Sequence, residues 1–190
     1  MPLAPIPVAR TRLHTRRISY DGWQREDGLL DIEARIVDTK DQDLMLASGV
    51  RPAGEPVHDM WARVTIDRHC VIQAIEASLD SVPYPGGCDR TPPGYAALVG
   101  ANLLHGFRKL LYDVAGGVHG CTHVTELIAF LPTAAVQTFA SLRRDVDAQG
   151  GKPYQLGCCH ALDVSTEAVR RYYPKWYRGA SGSTLTQEHT

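Results

Sequence analysis

No apolar run in this 190-residue chain approaches the roughly 20 residues that a membrane-crossing helix needs. The N-terminus shows no apolar stretch after a basic start, and Pro2, Pro5 and Pro7 interrupt it, so no signal peptide is expected. Neither sign of charge is in excess. The net charge of -1 gives no support to a nucleic-acid or acidic-membrane partner. The basic residues between Arg10 and Arg17 are a local exception, read as a solvated arm. Aromatics make up 7 % of the chain and are not interleaved with a basic surface. Five cysteines in a chain of this length do not make a disulfide framework. They fit a reducing, cytoplasmic setting in which thiols are unpaired, metal-bound or catalytic. A G-x-G-x-x-G loop after a strand and a G-x-S-x-G elbow are both missing, which removes nucleotide-cradling and serine-elbow chemistry. There is no internal repeat and no evident linker.

What is present reads as a soluble α+β domain, with 44 % hydrophobic and 22 % charged residues. Residues 13–20 suit a first strand, and Asp27-Gly28 a turn. Residues 30–36 alternate strictly between apolar and polar, the period of a half-buried strand. Residues 39–57 read as a loop that folds over a site. Alternation returns at residues 60–67 and continues in a β-rich run at 71–79 after a turn at Arg68-His69, which makes a hairpin. The prediction is an antiparallel meander of three to four strands in the N-terminal half, covered by helices from the C-terminal half. For those helices, Leu98, Leu103, Leu104, Phe107, Leu110 and Leu111 form one stripe that ends at Gly116-Gly117. A second helix starts near Cys121 or Thr122, Pro132 kinks it or opens the next, and that helix runs to about Val146. Ser165 caps a last helix that Pro174 stops. The expected organisation is a flexible arm over residues 1–12, a single domain over 13–178 and a disordered tail over 179–190.

Reactive side chains concentrate at Gly116 to Glu126, where Cys121, His123 and Glu126 fall within six residues at a helix start. A helix N-terminus favours thiolate, and His123 and Glu126, three apart, share a helix face. Two other places carry similar groups: His58-Asp59 before the hairpin, and Cys158-Cys159-His160 downstream. Only some of those last three side chains can point one way. The candidate metal ligands are Cys121, His123, Cys159, His160 and Cys88. A mixed sulfur and nitrogen set favours zinc or iron over magnesium or calcium. The candidate catalytic residues are Asp59 and Glu126 as acid or base, His58 beside them, and Arg63 as an anchor for a carboxylate substrate. Cys70, in a tight turn, is left out. The aromatic residues 172–177 suit packing or a dimer patch, so a homodimer is a candidate assembly.

Three motifs together carry a resemblance: His58-Asp59-Met60-Trp61-x-Arg63-x-Thr65-Ile66-Asp67, the run from Gly116 to Leu127, and Cys159-His160-Ala161-Leu162. With Asp27-Gly28-Leu29 and Asp31-Ile32-Glu33 they resemble, over residues 16–178, the bacterial family catalogued as domain of unknown function 2889, a name that implies no activity. In plan alone, a meander followed by helices is also similar to iron–sulfur scaffold proteins of the NifU N-terminal type. That likeness implies Cys88, Cys121 and Cys159 or His160 as ligands, with Asp59 a fourth, although the scaffold's cysteine spacing is missing. Four functions stand open. The first is a small zinc- or iron-dependent lyase or hydrolase acting on a small catabolic intermediate, aromatic ones included. The others are an iron–sulfur or sulfur carrier without turnover, a metal-free enzyme with Cys121 as nucleophile, and an interaction module with a structural site.

Overall fold

The structure, a computed structural model, describes residues 3–4, 6–90, 92–140, 142 and 151–179. It divides into two compact units, Met1–Phe139 and Ala140–Thr190.

The first unit is built on a four-stranded antiparallel sheet in the order β1-β2-β5-β6. Its strands are β1 (His14–Gln24), β2 (Leu30–Lys40), β5 (Pro56–Ile66) and β6 (Ile72–Ser81). The β1–β2 turn closes with the Arg25 amide donating to the Leu29 carbonyl at 3.0 Å, and Gly28 supplies the positive φ of 84°. Residues 39–57, expected as a loop, contain a small second hairpin, β3 (Leu44–Leu46) paired with β4 (Gly49–Arg51).

Alternation assigns the sheet its two faces. Even positions of β2 and β5, from Leu30 to Ile36 and from Met60 to Ile66, are buried. They pack with Tyr95, Leu98, Leu103, Phe107, Leu111 and the helices beyond in one apolar cluster. Burial of such side chains supplies most of the driving force, about 1.5–3 kcal/mol for each large one. Odd positions form a charged outer surface, with Arg63 between Glu33 and Glu76 and Arg35 against Asp59 and the Trp61 ring.

The helical stripe expected over residues 98–111 is split in two. A 3-10 turn, Pro92–Leu98, precedes a non-helical crossing, and α1 (Phe107–Ala115) begins only after Gly106, which is left-handed at φ 67°. The intervening chain pairs with the sheet, Val71 bridging Asn102, and this tertiary pairing overrides the helical leucine spacing. Helix α2 (Thr122–Ala129) starts where the sequence places it, and α3 (Leu131–Ala140) has Pro132 in its first turn. Gly22 of β1 lets α3 approach: a Cβ there would lie 1.9 Å from Thr138 Oγ1 and 2.8 Å from Thr138 Cβ.

In the second unit, a 3-10 turn His160–Leu162 precedes α4 (Glu167–Tyr172), and a further 3-10 turn, Pro174–Trp176, follows. The cap of α4 is Thr166, whose hydroxyl accepts from the Val169 amide at 3.3 Å. Ser165, the expected cap, instead donates its hydroxyl to Asp163 at 2.5 Å. The expected run to Val146 and the tail beyond Gly179 lie outside the described residues.

Candidate functional site

The site begins as a departure from the apolar alternation of β2. The buried phase Leu30, Ile32, Ala34, Ile36 continues one step to Asp38, a carboxylate with 3 % exposure. The register sets Arg16 of β1 opposite Asp38 on one side and His58 of β5 opposite it on the other. Three strands thus lay Arg16, Asp38 and His58 in a row across the covered face.

Asp38 accepts four bonds. Arg16 donates from Nε to Oδ1 and from a terminal nitrogen to Oδ2, both at 2.8 Å. His14 Nε2 lies 2.9 Å from Oδ1, and His58 Nδ1 lies 3.0 Å from Oδ2. Burial opposes charge on Asp38, but the bonds from Arg16 and His14 and the Arg16 charge outweigh it, holding the carboxyl far below the usual carboxylate range. An ionised carboxylate only accepts, so His58 must donate from Nδ1, which leaves Nε2 as its basic nitrogen.

The second wall is the start of α2. The buried Tyr95 phenol fixes it, accepting from the Cys121 amide at 3.2 Å and meeting Thr125 Oγ1 at 2.9 Å. Thr125 in turn donates to the Ala115 carbonyl at 2.9 Å. The glycines ahead of α2 serve this folding-back: a Cβ on Gly120 would lie 2.4 Å from the Ala115 oxygen. The start of α2 brings the His123 ring to 3.9 Å from that of His58, centroid to centroid, tilted by 34°. Neither nitrogen of His123 has a hydrogen-bond partner among the described residues. Burial depresses both imidazoles below their ordinary value. For His58 the neighbouring His123 adds to the effect, and for His123 the Arg16 charge does so. One ligand atom each from Asp38, His58 and His123 lies within 4.8 Å of the others.

The two imidazoles open onto a cleft of about 740 Å³ whose walls include Cys88, Cys121, Met60, Leu44, Leu46 and Lys40. That volume falls in the range of small-molecule sites. Four of the sequence candidates therefore share one cleft: His58, His123, Cys121 and Cys88. The Cys121 sulfur rests 3.9 Å from that of the buried Met60. Glu126 lies beside them, its carboxylate 3.5 Å from the third nitrogen of Arg16.

Asp59 and Arg63 are elsewhere. Both occupy odd positions of β5, so the period of two turns them to the face opposite His58. There Asp59 is held bidentately by Arg35 at 2.9 and 2.7 Å, and Arg63 by Glu33 and Glu76. Cys159 and His160 belong to the second unit, where Cys159 is exposed immediately before the His160–Leu162 turn. None of the five cysteines is in a disulfide. The sequence reading did not select Asp38, Arg16, His14 or Lys40. The signal for Asp38 was the alternation itself, extended by one step past Ile36.

The family model described as Protein of unknown function (DUF2889) matches residues 14–137, more than half of the chain. The chain belongs to this family. The DUF2889 match spans the sheet, the cleft and most of α3, and it ends before Cys159 and His160. No curated protein and no solved structure matches the chain significantly, so the likeness to iron–sulfur scaffolds gains no support from a relative. No helix among the described residues is long and apolar enough to cross a membrane.

Proposed function

We propose that the cleft is the active site of a small metal-dependent enzyme, a lyase or hydrolase that acts on a small molecule through a zinc- or iron-class ion held by His58 and His123. The observation that carries this reading is the imidazole pair. Two half-buried rings face one another at 3.9 Å, both favoured in the neutral form that ligation requires, and the nitrogens of His123 have no protein partner among the described residues.

Asp38 acts through His58. Its four accepting positions are taken by Arg16, His14 and His58, so it orients the imidazole and raises the basicity of Nε2, the carboxylate–histidine support common behind metal ligands. Cys121 and Cys88 stand on the same walls, and thiols beside imidazoles suit an ion of the zinc or iron class. A bound ion would provide Lewis acidity and a water acidified to near neutral pH. A reducing, cytoplasmic setting suits five cysteines without disulfides.

The test is a zinc titration of protein purified without a His-tag, against a chromophoric chelator. One equivalent should bind, and His58→Ala and His123→Ala should each weaken it by about 100-fold while the far-ultraviolet circular dichroism stays unchanged. No stoichiometric zinc or iron in the wild type, or unaltered affinity in both variants, overturns the reading. A visible charge-transfer band after anaerobic loading with iron and sulfide would turn it toward a carrier. Fast alkylation of Cys121 by iodoacetamide, with loss of activity in metal-free protein, would turn it toward a thiol nucleophile.

A further inference from the structure

Lys40 carries a consequence for what the cleft binds. It stands two residues after Asp38 on the same face of β2, is half-buried, and lines the cleft. Among the described residues it is the one formally charged side chain on those walls, and it has no ion pair or side-chain hydrogen bond there. The carboxylates that follow it in sequence are already engaged: Asp41 holds Arg12 at 2.6 Å, and Asp43 accepts from the Ala53 amide at 2.9 Å. No acidic side chain among the described residues lines the cleft. The rest of the wall near Lys40 is apolar, with Leu44 and Leu46 from the small hairpin, Val57 and Met60 from β5, and Tyr84. An unpaired ammonium on an apolar wall is stabilised by a ligand that brings an anion and an apolar body together. Arg63, the sequence candidate for that anchor, faces the other way and is already paired.

We infer that the cleft takes a small carboxylic acid with an apolar aryl or alkyl body, its carboxylate bound by Lys40 and its body against the Leu44–Leu46 hairpin and Met60. This rests on reading the cleft as a ligand site, but it does not require the ion. The acid end lies at Lys40, and the imidazoles are left to the remainder of the molecule.

The experiment is calorimetric or NMR titration of the full chain, kept metal-free with EDTA, using phenylacetate, octanoate, phenylacetamide and phenethylamine as probes. At least one of the two carboxylates should bind at least about tenfold more tightly than the uncharged amide, which is about 1.4 kcal/mol, and the amine should be weakest. Which carboxylate binds better separates an aryl from an alkyl body. Lys40→Met should abolish the preference for acid over amide without weakening the amide, and Lys40→Arg should retain it. Equal binding of acid and amide, a preference that survives Lys40→Met, or no binding of any probe at millimolar concentration overturns the inference. Because Lys40 is not among the proposed metal ligands, Lys40→Met should leave the zinc titration unchanged. Failure of zinc binding with the acid preference intact would remove the ion alone.

Discussion

Replacing Asp38 with Asn tests the polar row on which the site is built. The carboxamide keeps the shape but loses the charge, and one of its two ends becomes a donor facing donors. Asp38 accepts four bonds from Arg16, His14 and His58, and bonds to charged groups net about 1.5–3 kcal/mol each. Removing one partner of a fully buried pair costs about 3–5 kcal/mol. Here the side chains of Arg16 and His14 remain 34 % and 37 % exposed and regain water, so the cost falls to about 2–4 kcal/mol. For a chain of this size that lowers Tm by roughly 4–16 °C, measurable by calorimetry. A second readout separates orientation from stability. In the wild type, ¹⁵N spectra should show His58 protonated at Nδ1. In Asp38→Asn that tautomer should become mixed, and zinc affinity should fall about 10–100-fold. A Tm within 1 °C of the wild type, with the Nδ1–H tautomer intact, would refute the role assigned to Asp38.

Further outcomes follow from the same geometry. His58 and His123 lie below their ordinary value of 6.5 when folded, so the unfolded chain binds more protons. Their contribution to stability is complete above about pH 6.5 and is lost as pH falls through their folded values, whereas that of Asp38 is complete above its ordinary value of 3.8 and is lost as pH falls from there through its lowered folded value. Urea melts of metal-free protein between pH 7.5 and 5 should show this decline, and His123→Phe should reduce it; a flat profile in the wild type contradicts the burial of the two rings. Gly22→Ala drives a methyl into Thr138 and should cost about 1–3 kcal/mol by overpacking, partly restored by Thr138→Gly; an unchanged Tm would mean that α3 does not press on β1 there. Tyr95→Phe removes the acceptor of the Cys121 amide and should cost about 1–2 kcal/mol in denaturant titration, with no change if the start of α2 is held by other means.

The sheet was legible because its cause is local. Strict alternation over residues 30–36 and looser alternation over 60–66 follow from one buried face, and Asp27-Gly28 marks the turn between β1 and β2. What was not legible depends on distant partners. Strand β2 runs on to Lys40 because Arg16 neutralises a carboxylate on the buried face and His58 hydrogen-bonds it, and neither is near Asp38 in sequence. The leucine spacing from residue 98 suggested one helix, yet pairing of Val71 with Asn102 and the left-handed Gly106 hold the chain open until Phe107. Within the site, the start of α2 and His58 were readable as reactive places. The phase of β5 also contained the information that Asp59 and Arg63 face away from His58. The cation of the cleft wall was hidden because Lys40 fell in a stretch read as loop.

The measurement closest to the central claim is X-ray absorption at the zinc edge of the loaded 190-residue chain. The account predicts scattering from two imidazoles with Zn–N distances of about 2.0–2.1 Å, reduced to one in His58→Ala and in His123→Ala. A zinc spectrum without imidazole scattering, or one unchanged in either variant, would contradict it.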